Sequence, residues 1–456
     1  MSVTQQLVEF AVDTGFEDLP SAVVDVVKLG NLNIIGTCLG GYQTRNGKLH
    51  VDIAKEFGVA PQQATIIGDG TKVSIPFAAY ANGNLGFALD YEDMIYYILH
   101  PGYITIAAAL AVGEELHVSG KDYLAAIALG YEVAGRIGVS MQPSPERGTQ
   151  VWGEQYHPFA SAVTAGKLLG LNYEEMNVAF GIAGTYACVP SVYKYFGPVE
   201  QTRPMREAKL GWGWQCMAGV MAAISAKKGF GGGHGILDGE HGFWVMAGSD
   251  RCDFERMVDG LGDRWVTNDT EYKIHPSIAW NHPAFWATHQ LVKEHKLQSS
   301  QVSKVKIKSF MANTIADYRP AGPVDAMFSL PYSVCSTLMG EKLDPTLYSD
   351  EKLNNPEMLR LLSITECEHD THADKILFDE QRMCQTIQLT LDNGKKLIRS
   401  IEFPRDKPDY GRAEIEKKFH DLSAGVMNED KRTKLKNIID RIDSLDDITE
   451  FTSYLY

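Results

Sequence analysis

The 456-residue chain has no surplus of positive charge: 43 lysines and arginines face 58 aspartates and glutamates, a formal net charge of −15. So acidic a surface suits neither nucleic acid nor an anionic membrane. A small anion would need cations gathered in one pocket. Cysteine is scarce too. Cys38, Cys188, Cys216, Cys252, Cys335, Cys367 and Cys384 are odd in number, widely spaced and form no CxxC. That argues against a disulfide framework and against a thiolate zinc site. The N-terminus lacks a basic start and an apolar stretch, and Glu9 interrupts it, so it does not read as a secretory signal. The longest apolar runs, near Tyr103–Val112 and Tyr123–Gly130, fall short of the roughly 20 residues that cross a bilayer. No GxSxG occurs. The expectation is a soluble cytoplasmic protein that binds neither nucleic acid nor membrane.

What is present is ordinary globular composition, 44% hydrophobic and 22% charged, enough for a large core. Pro20 followed by SAVVDVVKLGNLNIIGTCLGG reads as a helix with proline at its start and glycines at its end. Gly102–Leu116 and Lys121–Gly138, rich in small and apolar residues, read as buried central helices. Ser161–Leu171, Glu174–Ala187 and Gly213–Lys228 continue the pattern, and Gly229–Glu240 is a glycine-rich connection. Near residue 266 the character changes. Val302–Phe310 alternates like a half-buried strand. Thr386–Leu391 and Lys396–Phe403 flank Asp392-Asn393-Gly394, a hairpin signal. Helices resume at Ala413–Asp421 and Asp430–Ser444. The expected fold is mainly α: a large all-helical domain made from both chain ends, residues 1–265 plus 407–456, with a smaller α+β lid domain, 266–406, inserted between them.

Two polar clusters stand out. In LDYEDMIYYILHPGY, the acids Asp90, Glu92 and Asp93 precede His100. A carboxylate orients an imidazole and raises its pKa; the plainer reading is helix capping. In EYKIHPSIAWNHPAFWATHQ, Lys273, His275, His282 and His289 crowd together where the two domains meet. Such seams favour ligand pockets, and cations there suit a polycarboxylate. His282 and His289, seven residues apart, would share a helix face. Three other stretches count for little. ECEHDTHAD (Cys367, His369, His372, Asp374) lacks regular metal spacing and reads as a solvated loop. GFGGGHG has neither a dinucleotide context nor the Lys-Ser/Thr of a P-loop. GLGDRW is equally weak.

In their order along the chain these clusters resemble the MmgE/PrpD family of 2-methylcitrate dehydratases, cis-aconitate decarboxylases and iminodisuccinate epimerases. The likeness runs from LPSAVVDVVKLGNLNIIGTCLGG through GFALDYEDM, HPGY, AGKLLGL, ILDGEHGF, YKIHPSIAWNH and VDAMFSLPYSV to KFHDLSAGVM. It implies a homodimer without metal or organic cofactor, acting on a small di- or tricarboxylate. By resemblance, Asp90, His100, Lys273, His282 and Tyr332 occupy family active-site positions. Met94 stands where relatives often carry a small polar residue. The family's His-Pro falls on Val151 by ungapped alignment, while here it occurs at His157-Pro158. A family lysine falls on Ala208, with Lys209 one residue on, and Gly211 replaces a family histidine. Trp212 and Trp214 add bulk nearby.

The family's reactions share the task of making or quenching a carbanion beside a carboxylate. The resemblance casts His100, oriented by Asp90, as general acid/base. Lys273 and His282, with His275, would hold carboxylate charge, and Tyr332 would donate from the lid. His157 is a second acid/base and Lys209 a carboxylate ligand. Three functions follow: a cofactor-independent lyase (dehydratase or decarboxylase), an epimerase using both His100 and His157, or a non-catalytic tricarboxylate binder.

Overall fold

A computed structural model describes residues 1–96, 98–148, 150–151, 154–187, 197–205, 211–407 and 410–456. It is mainly helical, as the sequence implies. The core helices are α1 (Ser21–Tyr42), α2 (Ile75–Phe87), α3 (Gly102–Leu116), α4 (Gly120–Ser140), α5 (His157–Leu168), α6 (Tyr173–Tyr186) and α7 (Gly213–Lys227). Apart from charges at their ends and the Glu132–Arg136 pair of α4, α3 and α4 are apolar all round, so they sit in the middle and are buried almost end to end. Small residues set the spacing. A side chain at Gly130 of α4 would strike Thr164 of α5, and one at Gly219 of α7 would strike Pro158 and Ser161. These close crossings fix the start of α5, where His157 stands.

α1 is long and apolar enough to cross a membrane by length and composition, a property the run-length reading above passes over. Here it packs in the core beneath α11 (Arg412–Ser423), with Gly36 under Phe419 and Gly40 under Leu422. The last long helices of the chain thus lie on the first. A buried ion pair ties down the connection that leaves the helical part. Arg136 holds Glu132 at 2.7 Å and donates to the carbonyls of Asp259 and Arg264, while Glu132 accepts from Val266 and Thr267.

Between residues 266 and 407 lies a four-stranded sheet, in the order β6-β5-β7-β8. Its strands are β5 (Val302–Ser309), β6 (Thr365–His369), β7 (Met383–Leu391) and β8 (Lys396–Phe403). β5 and β6 are parallel, while β7 and β8 form the hairpin around Asn393-Gly394. Beside the sheet are α8 (His282–His295), α9 (Leu330–Met339) and α10 (Thr371–Glu380).

Two expectations are corrected. The first 265 residues are not all helical: β1 (Ala64–Thr65) pairs with β2 (Lys72–Val73), and β3 (Asp93–Ile95) pairs with β4 (Thr270–Tyr272). Strands of two or three residues leave no periodicity to read. ECEHDTHAD is not a loop either. It is strand β6 running into α10, whose first turn is capped by Asp370. The strand looks polar because it is an exposed edge, with Glu366, Glu368 and Asp370 paired to Lys304, Lys306 and Lys308 across the β5–β6 ladder.

Candidate active site

The short β3–β4 pair builds the site. It sets Asp93 opposite Tyr272, and the Lys273 backbone N–H donates to the Glu92 carbonyl at 3.2 Å. Residues 181 apart in sequence become neighbours. Asp90 turns into this stretch at φ +48°, a conformation that Asp tolerates. Beyond β3, the chain folds back through an Ile95–Leu99 bridge. That return lays the His100 ring against the strand it has just left.

His100 Nδ1 lies 3.0 Å from Glu92 Oε1 and 3.1 Å from the Asp93 carbonyl. Both neighbours only accept, so Nδ1 carries a proton and Nε2 is left for chemistry. The His100 backbone N–H donates to the Tyr156 hydroxyl at 2.5 Å. The expected orienting residue, Asp90, is therefore corrected to Glu92. The left-handed turn at Asp90 brings Asp90 and Glu92 to the same side, so both reach Lys273, and Glu92 also reaches His100. Lys273 Nζ bonds to Asp90 and, at 2.5 Å, to Glu92, and is fully buried. Lys273, expected to hold substrate charge, is here paired with two carboxylates of the chain itself.

The charge states follow from these contacts. Burial and Lys273 both pull the His100 pKa down, but the Glu92 hydrogen bond and charge outweigh them and leave it raised. Burial would raise the Glu92 carboxyl; Lys273 and His100 hold it well below the usual carboxylate range instead. Asp93 is different. Its burial wins over the Tyr131 hydroxyl bonded to it at 2.5 Å, and it rises to about 6.

His157, at the first position of α5, comes close by. The Tyr156 ring packs beside it, and the hydroxyl of that ring accepts the His100 N–H. His157 Nδ1 faces Gln215 Oε1 at 3.1 Å, and the Tyr103 hydroxyl lies 3.4 Å from Nε2, with Glu154 at 3.6 Å. Complete burial pushes its pKa down to about 4, so the ring is neutral. Val151 lines a different, small cavity of about 60 Å³ together with Tyr96, Ile98, Trp280 and Phe378. His157 rather than Val151 therefore supplies an imidazole beside His100. Lys209 and Ala208 lie outside the described residues. Trp212 stands with its ring 5.9 Å from that of His157, whereas Trp214 faces outward, 56% exposed. Met94 is buried in β3.

Past Lys273 the chain carries His275 and His282, whose rings lie 6.4 Å apart. His275 Nδ1 faces the Ser277 hydroxyl at 3.0 Å. The first turn of α8 is pinned from the sheet: Gln385 accepts from the Ala284 N–H and donates to the Trp280 carbonyl. His282 Nε2 and Asn281 Oδ1 are buried without a hydrogen-bond partner among the described residues. His289 does not join them. It stacks on Trp286, 5.3 Å away, on the outer part of α8. The Tyr332 hydroxyl donates to the Leu347 carbonyl at 2.7 Å, so it must exchange partners before it can serve a substrate. Residues that the sequence reading left out of the site are Glu154, Tyr103, Tyr156 and Gln215. No motif marks them; helix crossings bring them in. Among the described residues no group of three His, Cys, Asp or Glu side chains is arranged to hold a metal ion.

Buried neutral histidines predict a steep acid limb. The pKa of His275 is pushed down to about 3 by burial, that of His157 to about 4, and that of His282 well below 6.5. In each case the unfolded chain takes up a proton that the folded chain refuses. Their contribution is complete above about pH 6.5 and is lost as the pH falls toward 4. Asp93, with its raised pKa, works the other way between its ordinary value and about 6. Taken by themselves, three groups against one contribute a slope of roughly 2–3 kcal/mol per pH unit near pH 5; His50 and His289, lowered by burial, add to it, and Glu271 and Asp317, raised by burial, oppose it. Guanidinium midpoints measured from pH 7 to 4.5 should fall accordingly, and His275→Gln should flatten the slope by about one third to one half. An unchanged slope would mean that His275 is not held neutral.

A mainly helical scaffold thus shuts two histidines and a carboxylate–lysine cluster away from bulk water. The chain belongs to the MmgE/PrpD family. Its N-terminal domain description matches residues 5–255 and its C-terminal domain description residues 275–444. Cis-aconitate decarboxylase from Aspergillus terreus is 24% identical, over 99% of this chain and 96% of its own. A cis-aconitate decarboxylase-like protein, oryM, from Aspergillus oryzae is 22% identical, over 86% of this chain and 84% of its own.

Proposed function

We propose that the protein is a cofactor-independent lyase that forms a carbanion beside a carboxylate of a small di- or tricarboxylic acid, and that its reaction is decarboxylation of a cis-aconitate-like acid. One observation carries this reading: two buried histidines whose contacts shift their pKa values in opposite directions sit close together. Glu92 raises that of His100, and burial lowers that of His157 to about 4. One is a ready donor, the other a ready acceptor. The names of the relatives support decarboxylation over dehydration.

In this reading the C–C bond to the carboxylate on the methylene arm breaks and leaves as CO2. Its electron pair becomes a new terminal C=C. The electrons of the old double bond move onto the carbon α to the far carboxylate, and His100 Nε2–H delivers a proton there. His282 Nε2, buried and unsatisfied, supplies a hydrogen bond for a polar group of the substrate, and Asn281 Oδ1 beside it can accept one from a protonated carboxyl. Each well-placed donor at the developing charge contributes roughly 3–4 kcal/mol, and exclusion of water strengthens all of them.

The paired histidines also favour a second reading, an epimerase that deprotonates one face of a dicarboxylate and reprotonates the other. Proton NMR in D2O separates the two, using cis-aconitate, citrate, 2-methylcitrate and iminodisuccinate in turn. The expected result is loss of the cis-aconitate vinyl signal and growth of a methylene product carrying one deuterium. Deuterium exchange of iminodisuccinate with no new alkene would replace the lyase by the epimerase. Water loss from citrate without CO2 would replace decarboxylation by dehydration. No change in any acid would overturn the enzymatic reading.

A further inference from the structure

Lys418 reaches the site from behind. It lies on α11, and its side chain passes under the Tyr91 ring, with Nζ 3.7 Å from the ring centroid. There Nζ donates to the Asn33 side chain at 2.7 Å, to the Lys273 carbonyl at 3.0 Å and to the Tyr91 carbonyl. Only 6% of the residue is exposed. Three oxygens use all three hydrogens of an ammonium, whereas a neutral amine would turn a lone pair toward one of them. Burial drives the Lys418 pKa well down, with Lys273 adding to the fall and the Glu92 and Asp93 carboxylates opposing it; the three accepting oxygens are the geometry of an ammonium.

We propose that Lys418 is a positioning residue for the reaction proposed above, on which this inference rests. Tyr91 lies between Asp90 and Glu92, and Lys273 is their partner. By holding the carbonyls of Tyr91 and Lys273 on one ammonium, Lys418 sets the spacing of the Glu92–Lys273 pair. Through Glu92 it sets the orientation of His100. Docking of α11 does not require this. Phe419 and Leu422 already pack against α1, and a methionine would fill the same space without desolvating a charge. Buried charge is a poor source of stability and a better source of a single defined geometry.

The test compares Lys418→Met with Leu422→Ala, a change on the same helix that touches no part of the site. Each variant is read three ways: thermal midpoint, kcat and KM on cis-aconitate, and the His100 titration followed by NMR of ring-labelled histidine. The His100 signal is assigned by its loss in His100→Gln. Lys418→Met should lower kcat by about tenfold or more while KM moves by less than about threefold. It should also shift the His100 midpoint by roughly half a pH unit or more. Leu422→Ala should lower the thermal midpoint and leave the kinetics and the titration alone. An unmoved His100 titration in Lys418→Met overturns the proposal, as does activity that falls only in step with stability in both variants. If Lys418→Met does not fold, Asn33→Leu removes one acceptor and keeps the lysine; it should show smaller shifts of both readouts, and no shift overturns the proposal. The NMR titration needs no turnover. A wild-type protein inert toward cis-aconitate would therefore end the decarboxylase reading while the His100 shift still decides the role of Lys418.

Discussion

Lys273→Met is expected to lower the free energy of unfolding by on the order of 3–5 kcal/mol, the usual result of removing one partner from a buried ion cluster. The ammonium is fully buried between Asp90 and Glu92. Without it two carboxylates face each other in a medium of effective dielectric about 20, where unit charges 4 Å apart interact by about 4 kcal/mol. One of them must take a proton. Chemical denaturation of the variant at pH 7 and at pH 5 reads this directly, because the loss should shrink at the lower pH as that proton becomes easier to bind. Adding Asp90→Asn and Glu92→Gln to Lys273→Met should recover most of the loss, since neutral side chains of the same shape need no counter-charge. A single variant as stable as the wild type would sink the assignment of Lys273 to this cluster. It would return Lys273 to the role that its place in the sequence suggests, a cation waiting for a substrate carboxylate. The contacts argue against that role: the Lys273 ammonium already spends its hydrogen bonds on Asp90 and Glu92, and an incoming carboxylate would have to displace one of them.

The sequence displays the site's ingredients more clearly than their partnerships. α3 and α4 are legible because helices apolar nearly all round have only one place to go. The β7–β8 hairpin is legible from Asn393-Gly394. LDYEDM is legible as a cluster but not as a geometry. Its acids resemble helix-capping residues until β4 is known to lie alongside them, and a three-residue strand 175 positions downstream leaves no pattern to detect. Asp90 and Glu92 come to one side through the left-handed turn at Asp90, which no residue pattern announces. His157 was visible only as a His-Pro out of register with Val151. The crossings at Gly130 and Gly219, which depend on three-dimensional packing, bring it beside Tyr103. Lys418 sits in an amphipathic helix among solvated charges, and nothing in its neighbours distinguishes it from Lys417. Lys417 pairs with Asp421 at the surface, one residue away from a lysine whose ammonium is buried.

His100→Gln is expected to reduce turnover by roughly 10²–10⁴-fold, the usual contribution of a positioned acid/base, while leaving the thermal midpoint within a few degrees of the wild type. Two facts argue for this separation. A glutamine amide can still donate to Glu92 or to the Asp93 carbonyl, which lie 3.0 and 3.1 Å from Nδ1 in the native site. The backbone N–H that holds residue 100 to Tyr156 is untouched. What the amide lacks is a proton that can leave and return near neutral pH. The pH profile sharpens the test. Because Glu92 raises the His100 pKa, activity that needs the protonated ring should be retained above the ordinary histidine midpoint of about 6.5, and should fall only at higher pH. Glu92→Gln removes that support, so the falling limb should move to lower pH, and residual activity should survive best on the acid side. A limb that stays in place in Glu92→Gln would show that another group titrates. A His100→Gln variant that keeps its turnover but loses its fold would make the imidazole a clamp between β3 and α3, with the proton supplied from elsewhere.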